Sequence, residues 1–156
     1  MSEPARVREI MAGDPLTCSP SDRLDYAVEK MNRLRVGSII AVEGRRPVGI
    51  VTERDILSKV VARGRLARDL RVHEVMSAPV RTIPEDAPVE EAAKRMVDWG
   101  IKRLVVVRDS SLAGIITATD IMRAVAAGKL AREVYLYLSD IFKGPHLSGL
   151  IGREGG

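Results

Sequence analysis

Aromatic side chains make up only 3% of this 156-residue chain, which also has a single cysteine, Cys18, and two histidines, His73 and His146. One cysteine excludes an intramolecular disulfide framework, and the absence of zinc-type Cys/His spacing argues against a structural metal site. No apolar run approaches the roughly 18 residues that a membrane span requires. The opening MSEPARVREIM has no apolar stretch of the signal-peptide kind, so a cytoplasmic setting is expected. Catalytic signatures are missing too. The run His73-Glu74-Val75-Met76 is not H-E-x-x-H, and there is no G-x-S-x-G elbow, Walker A loop or G-x-G-x-x-G. No histidine is placed beside Cys18 by any pattern, so it reads as a small buried residue rather than a nucleophile. The chain is not expected to be an enzyme.

What is present is an ordinary globular composition, 46% hydrophobic and 29% charged, sufficient for one domain or two very small ones. Net charge is +4, and nineteen of the 25 basic residues are Arg, the better bidentate phosphate donor. A mild basic excess suits a nucleic acid or a small phosphorylated ligand equally. Arg63, Arg65, Arg68 and Arg71 cluster, and Arg45-Arg46 mark a turn. Asp69 and Glu74 dilute the cluster and no aromatic is interleaved for base stacking, which favours a solvated connector over a nucleic-acid surface. A nucleic-acid-binding regulator stays as the alternative, marked by affinity that falls steeply with salt.

Laying the chain on itself at a shift of 65 residues aligns its halves without a gap. VREIM at 7–11 falls on VHEVM at 72–76, Met31 on Met96, and GIVTERDI at 49–56 on GIITATDI at 114–121. Each copy reads as β-α-β-β-α: a short strand at Leu16–Cys18 or Val80–Ile83, then an amphipathic helix with Ser21 or Asp86 at its N-cap. The stripe Leu24, Ala27, Val28, Met31, Leu34 recurs as Val89, Ala92, Ala93, Met96, Trp99. SIIAV and RLVVV open hairpins that turn at EGRRP and RDSSL, and a short helix closes each unit. The expected organisation is repeat one at 5–63, a connector at 64–71, repeat two at 72–127 and a tail at 128–156. GRLARDL at 64–70 recurs as GKLAREV at 128–134. Beyond it Leu130, Val134, Tyr137, Leu138 and Ile141 share a helical face, which predicts a docked helix from Leu130 to Lys143.

The apolar skeleton explains itself by burial, but the recurrence of Thr52 with Asp55 and Thr117 with Asp120 does not. In each copy a strand ends at the Thr and a helix starts within a residue or two. Capping is one explanation: Thr at the N-cap, Asp complementing the helix dipole. The other is a ligand, with free N–H groups and the hydroxyl facing a phosphate and the carboxylate accepting two ribose hydroxyls. Spacing alone leaves the two level. Gly49 and Gly114 point to a close backbone approach or a crowded hairpin.

With these features the chain resembles the cystathionine-β-synthase (CBS) domain pair, or Bateman module, over about residues 5–127. The carriers are the tandem unit, the opening V-x-x-[IV]-M, the turn into a helix ending at Met31 or Met96, and G-h-h-T-x-x-D. The resemblance implies an α/β fold of two repeats packed sheet to sheet about a pseudo-twofold axis. It also implies a stand-alone regulatory role, with clefts that take AMP, ADP, ATP or, less often, S-adenosylmethionine. Carried over by position, Asp55 and Asp120 hold the ribose and Thr52 and Thr117 contact ribose or phosphate. Leu16, Thr17 and Cys18, with Arg81, Thr82 and Ile83, line adenine slots partly through backbone atoms. Val36, Gly37, Ser38 and Ile39, with Ile101, Lys102, Arg103 and Leu104, form the opposite walls. Arg54 and Thr119 precede the two Asp residues and differ between copies, and Lys102 and Arg103 are candidate phosphate contacts. A homodimer through the closing helices and an effector protein are the expected partners. A pure assembly module with empty clefts is the third reading.

Overall fold

The computed structural model describes residues 5–136, 138 and 139. A four-residue helix, α1 (Val7–Ile10), precedes β1 (Thr17–Cys18), α2 (Leu24–Leu34), β2 (Ser38–Glu43), β3 (Arg46–Thr52) and α3 (Glu53–Ile56). Short 3-10 turns follow at Ala67–Asp69 and Val72–Glu74. The second set is β4 (Thr82–Pro84), α4 (Val89–Trp99), β5 (Arg103–Arg108), β6 (Ser111–Thr117) and α5 (Ala118–Ala126). Two three-stranded sheets result, ordered β1-β2-β3 and β4-β5-β6. The expected mixed α/β architecture of tandem β-α-β-β-α units is therefore present. No helix among the described residues is long and apolar enough to cross a membrane.

The two compact units do not coincide with the two sequence repeats. One unit joins Gly13–Thr82 with Val107–Ala113. The other takes the described residues up to Ala12, Ile83–Val106 and the described residues from Gly114 onward. The segment that opens each repeat thus belongs with the sheet of the other. In the first unit Val72, Val75 and Leu70 enter the core formed by Leu24, Ala27, Met31, Ile39 and Val51, with Met76 packed against it. In the second, Val7 is fully buried, and Arg8 N–H donates to Glu85 O at 2.9 Å. Backbone pairs tie each exchange down: Ser77 with Ile50 (2.8 and 3.1 Å), and Ala12 with Ile115 (2.9 and 3.0 Å).

The long helices follow the apolar pattern with two corrections. Leu24, Ala27 and Met31 are buried, as are Val89, Ala92, Ala93 and Met96, but Leu34 and Trp99 at the stripe's end are exposed. Neither Ser21 nor Asp86 is an N-cap; Arg23 and Pro88 hold those positions, without a side-chain cap. Backbone carbonyls replace the expected side chains, since Leu24 N–H donates to Leu70 O and Val89 N–H to Ala5 O. A buried helix start needs its first donors satisfied, and a carbonyl delivered by a connecting segment serves as well as a Ser or Asp. Both helices end in a left-handed residue, Arg35 (φ 54°) and Gly100 (φ 63°), with Val36 and Ile101 N–H closing back on Met31 and Met96 O.

The closing helices differ. α5 is a continuous α-helix, whereas α3 passes into a π-helical turn at Leu57–Val61. In the tail, residues 132–136, 138 and 139 are helical, so the helix begins two residues later than expected. Val134 and Leu138 are buried, and Glu133 and Val134 border a hollow with Glu90, Glu91, Ala93 and Lys94 of α4. The expected docking is thus met within the tail's own unit. Tyr137, Ile141 and the expected end at Lys143 lie outside the described residues.

The glycines make the close approach that their recurrence suggested. A Cβ on Gly114 would stand 2.6 Å from Ala12 O, a backbone atom held in the pair with Ile115. A Cβ on Gly49 would meet the Sδ and Cγ of Met76, the movable end of a flexible side chain. Gly114→Ala is therefore expected to cost about 1–3 kcal/mol, in the range of overpacked cores, and Gly49→Ala clearly less. Urea unfolding of the two variants checks the order; equal losses would contradict it.

Candidate functional site

Thr52 ends β3 and caps α3. Its Oγ1 accepts the Asp55 N–H at 3.2 Å, and Asp55 Oδ2 accepts the Thr52 N–H at 2.9 Å, a reciprocal capping box. The Thr52 hydroxyl also donates to Asp55 Oδ2 at 3.0 Å. The other oxygen, Oδ1, accepts from the Ser77 hydroxyl at 3.0 Å and lies 3.0 Å from the Lys59 ammonium. Lys59 Nζ in turn donates to Val75 O at 2.8 Å. Asp55 is 7% exposed. Burial opposes its ionisation, but the Thr52 amide, Lys59 and Ser77 outweigh burial and hold the carboxyl below its ordinary value.

The second junction has the same box and little else. Thr117 Oγ1 accepts the Asp120 N–H at 3.1 Å, and Asp120 Oδ2 accepts the Thr117 N–H at 2.9 Å. Asp120 is half-buried, and its Oδ1 has no hydrogen-bond partner among the described residues. The positions 65 residues from Lys59 and Ser77 are Ala124 and Ala12, which carry neither an ammonium nor a hydroxyl. Lys59 and Ser77 belong to no repeated motif in the sequence. Their only signal there is the failure of the repeat to match at those two positions.

Capping is thus observed at both junctions, and it corrects part of the ligand picture. The first-turn amides are not all free. Glu53 N–H donates to Gly37 O at 3.1 Å and Ala118 N–H to Lys102 O at 2.8 Å, while the Asp amides are taken by the Thr hydroxyls. The same bonds bring the expected wall segments to the junctions. Ser38 pairs across from Thr52, Gly37 touches α3, and Lys102 touches α5. Leu16 O accepts from Ile40 N–H, and Thr17 and Cys18 run parallel to Ile40 and Ala41. Thr82 starts β4, next to β5 in the sheet, and Ile83 follows it.

Side-chain exposure sorts the remaining candidates. Ile39, Ile83 and Leu104 are fully buried, backbone included, and present essentially no exposed surface. Cys18 is buried as well, and burial, with Asp22 nearby, pushes its thiol up to about 11, the state of an inert side chain. Val36, Arg54, Arg81, Lys102 and Thr119 are exposed; Ile101, Arg103 and Leu16 are half-buried. A hollow of about 300 Å³ lined by Asp22, Tyr26, Glu29, Lys30 and Arg33 contains none of the expected site residues. No group of three or more His, Cys, Asp or Glu among the described residues is placed to hold a metal ion.

Comparison with known proteins places this geometry. The CBS domain profile matches twice, at residues 7–62 and 72–127. An uncharacterized protein of Methanopyrus kandleri is 41% identical over 119 residues, covering 75% of this chain and 61% of that protein. A mitochondrial CBS domain-containing protein of Arabidopsis thaliana is 30% identical over 118 residues, covering 72% and 57%. The chain therefore matches about three fifths of the length of these relatives. Among solved structures, a CBS domain protein from Pyrobaculum aerophilum complexed with AMP superposes with a TM-score of 0.71 at 26% identity, covering 80% of this chain and 98% of that one. The CBS domain pair of protein MJ0100, in complex with 5′-methylthioadenosine and S-adenosyl-L-methionine, gives 0.73 at 27%, covering 81% and 100%. The doubled strand–Thr–helix–Asp junction and the doubled profile agree: this chain belongs to the CBS domain family and carries a tandem pair.

Proposed function

We propose that the chain is a regulatory module that binds an adenosine nucleotide and catalyses no reaction. The observation that carries this is the Asp120 carboxylate, half-buried at a capped strand–helix junction with an oxygen left for a donor. A vicinal ribose diol supplies two O–H donors at the spacing of a carboxylate's two acceptors. Support comes from similar CBS pairs that hold AMP or S-adenosyl-L-methionine with 5′-methylthioadenosine. Lys102, whose carbonyl accepts the Ala118 N–H at that junction, and the adjacent Arg103 are the proposed contacts for the phosphate of AMP, ADP or ATP. Isothermal titration with AMP, ADP, ATP and S-adenosylmethionine tests the reading. Heat with at least one of the four is expected, and none with any would overturn it.

The chain is further proposed to work as a homodimer in a cytoplasmic setting, passing the ligand's state to an effector protein. Leu57 and Val61 are 59% and 62% exposed and lie one turn apart on the closing segment of repeat one. Two large aliphatic side chains so placed gain from a second apolar surface. A hexameric CBS-CP12 protein from bloom-forming cyanobacteria, 31% identical with a TM-score of 0.71, supports assembly between copies. Leu57→Asp with Val61→Asp is expected to halve the mass found by light scattering at micromolar concentration. A native chain already monomeric under those conditions would contradict the dimer.

A further inference from the structure

The two junctions are not equivalent in what meets their carboxylates. A carboxylate has about four lone-pair sites. At Asp55 four donors meet them: the Thr52 amide and hydroxyl on Oδ2, the Ser77 hydroxyl and the Lys59 ammonium on Oδ1. Among the described residues one donor meets Asp120, the Thr117 amide. Two of the donors at Asp55 have no counterpart at Asp120, because the positions 65 residues away are Ala124 and Ala12. The Ala12–Ile115 pair repeats the Ser77–Ile50 pair, so residue 12 occupies the place of Ser77 without its hydroxyl. The Thr117 hydroxyl, unlike that of Thr52, donates to no group among the described residues.

From this we infer that the module has one working ribose site per chain, at Asp120, and that Lys59 and Ser77 close the Asp55 end by standing in for a ligand's hydroxyls. The inference rests on the nucleotide reading above and adds which junction serves. A diol approaching Asp55 must expel a charge-assisted ammonium contact and a hydroxyl, each already aligned on the oxygen it needs. At Asp120 it adds to an oxygen that has room.

Titration with AMP tests this on the native chain and three variants, each first checked to be folded, with a cooperative melting transition above the titration temperature. The native chain is expected to bind one AMP per chain. Asp120→Asn, which keeps an acceptor for the Thr117 amide, is expected to weaken binding by about tenfold or more, the loss of charge-assisted hydrogen bonds. Lys59→Ala with Ser77→Ala gives the Asp55 end the residues of the other copy and is expected to raise the stoichiometry to two. Ala124→Lys with Ala12→Ser does the reverse and is expected to weaken binding at Asp120. No heat with AMP or any other adenosine ligand overturns the nucleotide reading itself. Two equal sites in the native chain, or an Asp120→Asn variant that binds as tightly as native, leave that reading standing and overturn this inference.

Discussion

Two backbone hydrogen bonds, made once in each compact unit, hold the arrangement together: Ser77 with Ile50, and Ala12 with Ile115. Each pair fastens the segment that opens one sequence repeat to the last strand of the sheet built by the other. The neighbouring features follow from it. Gly49 and Gly114 lie under that crossing, where a side chain would strike Met76 or the Ala12 carbonyl. Val72 and Val75 fill the core around Leu24 and Met31, and Val7 is buried with the second unit. The same crossing carries Ser77 to Asp55.

The 65-residue sequence repeat accounts for the doubled scaffold, and residue differences between the copies account for its unequal chemistry. Both junctions keep the capping box, because both helices need their first donors satisfied wherever the strand delivers them. Outside the box the copies diverge. One has an ammonium one helical turn from the carboxylate and a hydroxyl from the crossing segment; the other has two alanines there. A carboxylate saturated by its own protein serves stability. On the proposal above, the one left with an open acceptor serves recognition. Capping, seen in both copies, and the ligand binding proposed for one of them are therefore compatible readings of Thr-x-x-Asp.

The periodic features were legible in the sequence. The 65-residue repeat, both amphipathic helices, both hairpins and the crowding at the two glycines all leave local marks, in spacing or in residue type. The features that escaped depend on which distant segment arrives where. The helix starts at Leu24 and Val89 lack a Ser or Asp cap because carbonyls of Leu70 and Ala5 come to them. Leu34 and Trp99 continue an apolar stripe past the buried part of each helix. Ser77 is 22 residues from Asp55, in the other sequence repeat, so the environment of the first carboxylate could not be read from its own motif.

A crystal structure of the chain grown with AMP would test the central claim, that one junction is closed by its own side chains and the other is open. The account predicts one nucleotide per chain, its ribose hydroxyls on the Asp120 carboxylate, with Lys59 and Ser77 still bonded to Asp55. A ribose seated on the Asp55 carboxylate, with the Lys59 ammonium displaced, would contradict it.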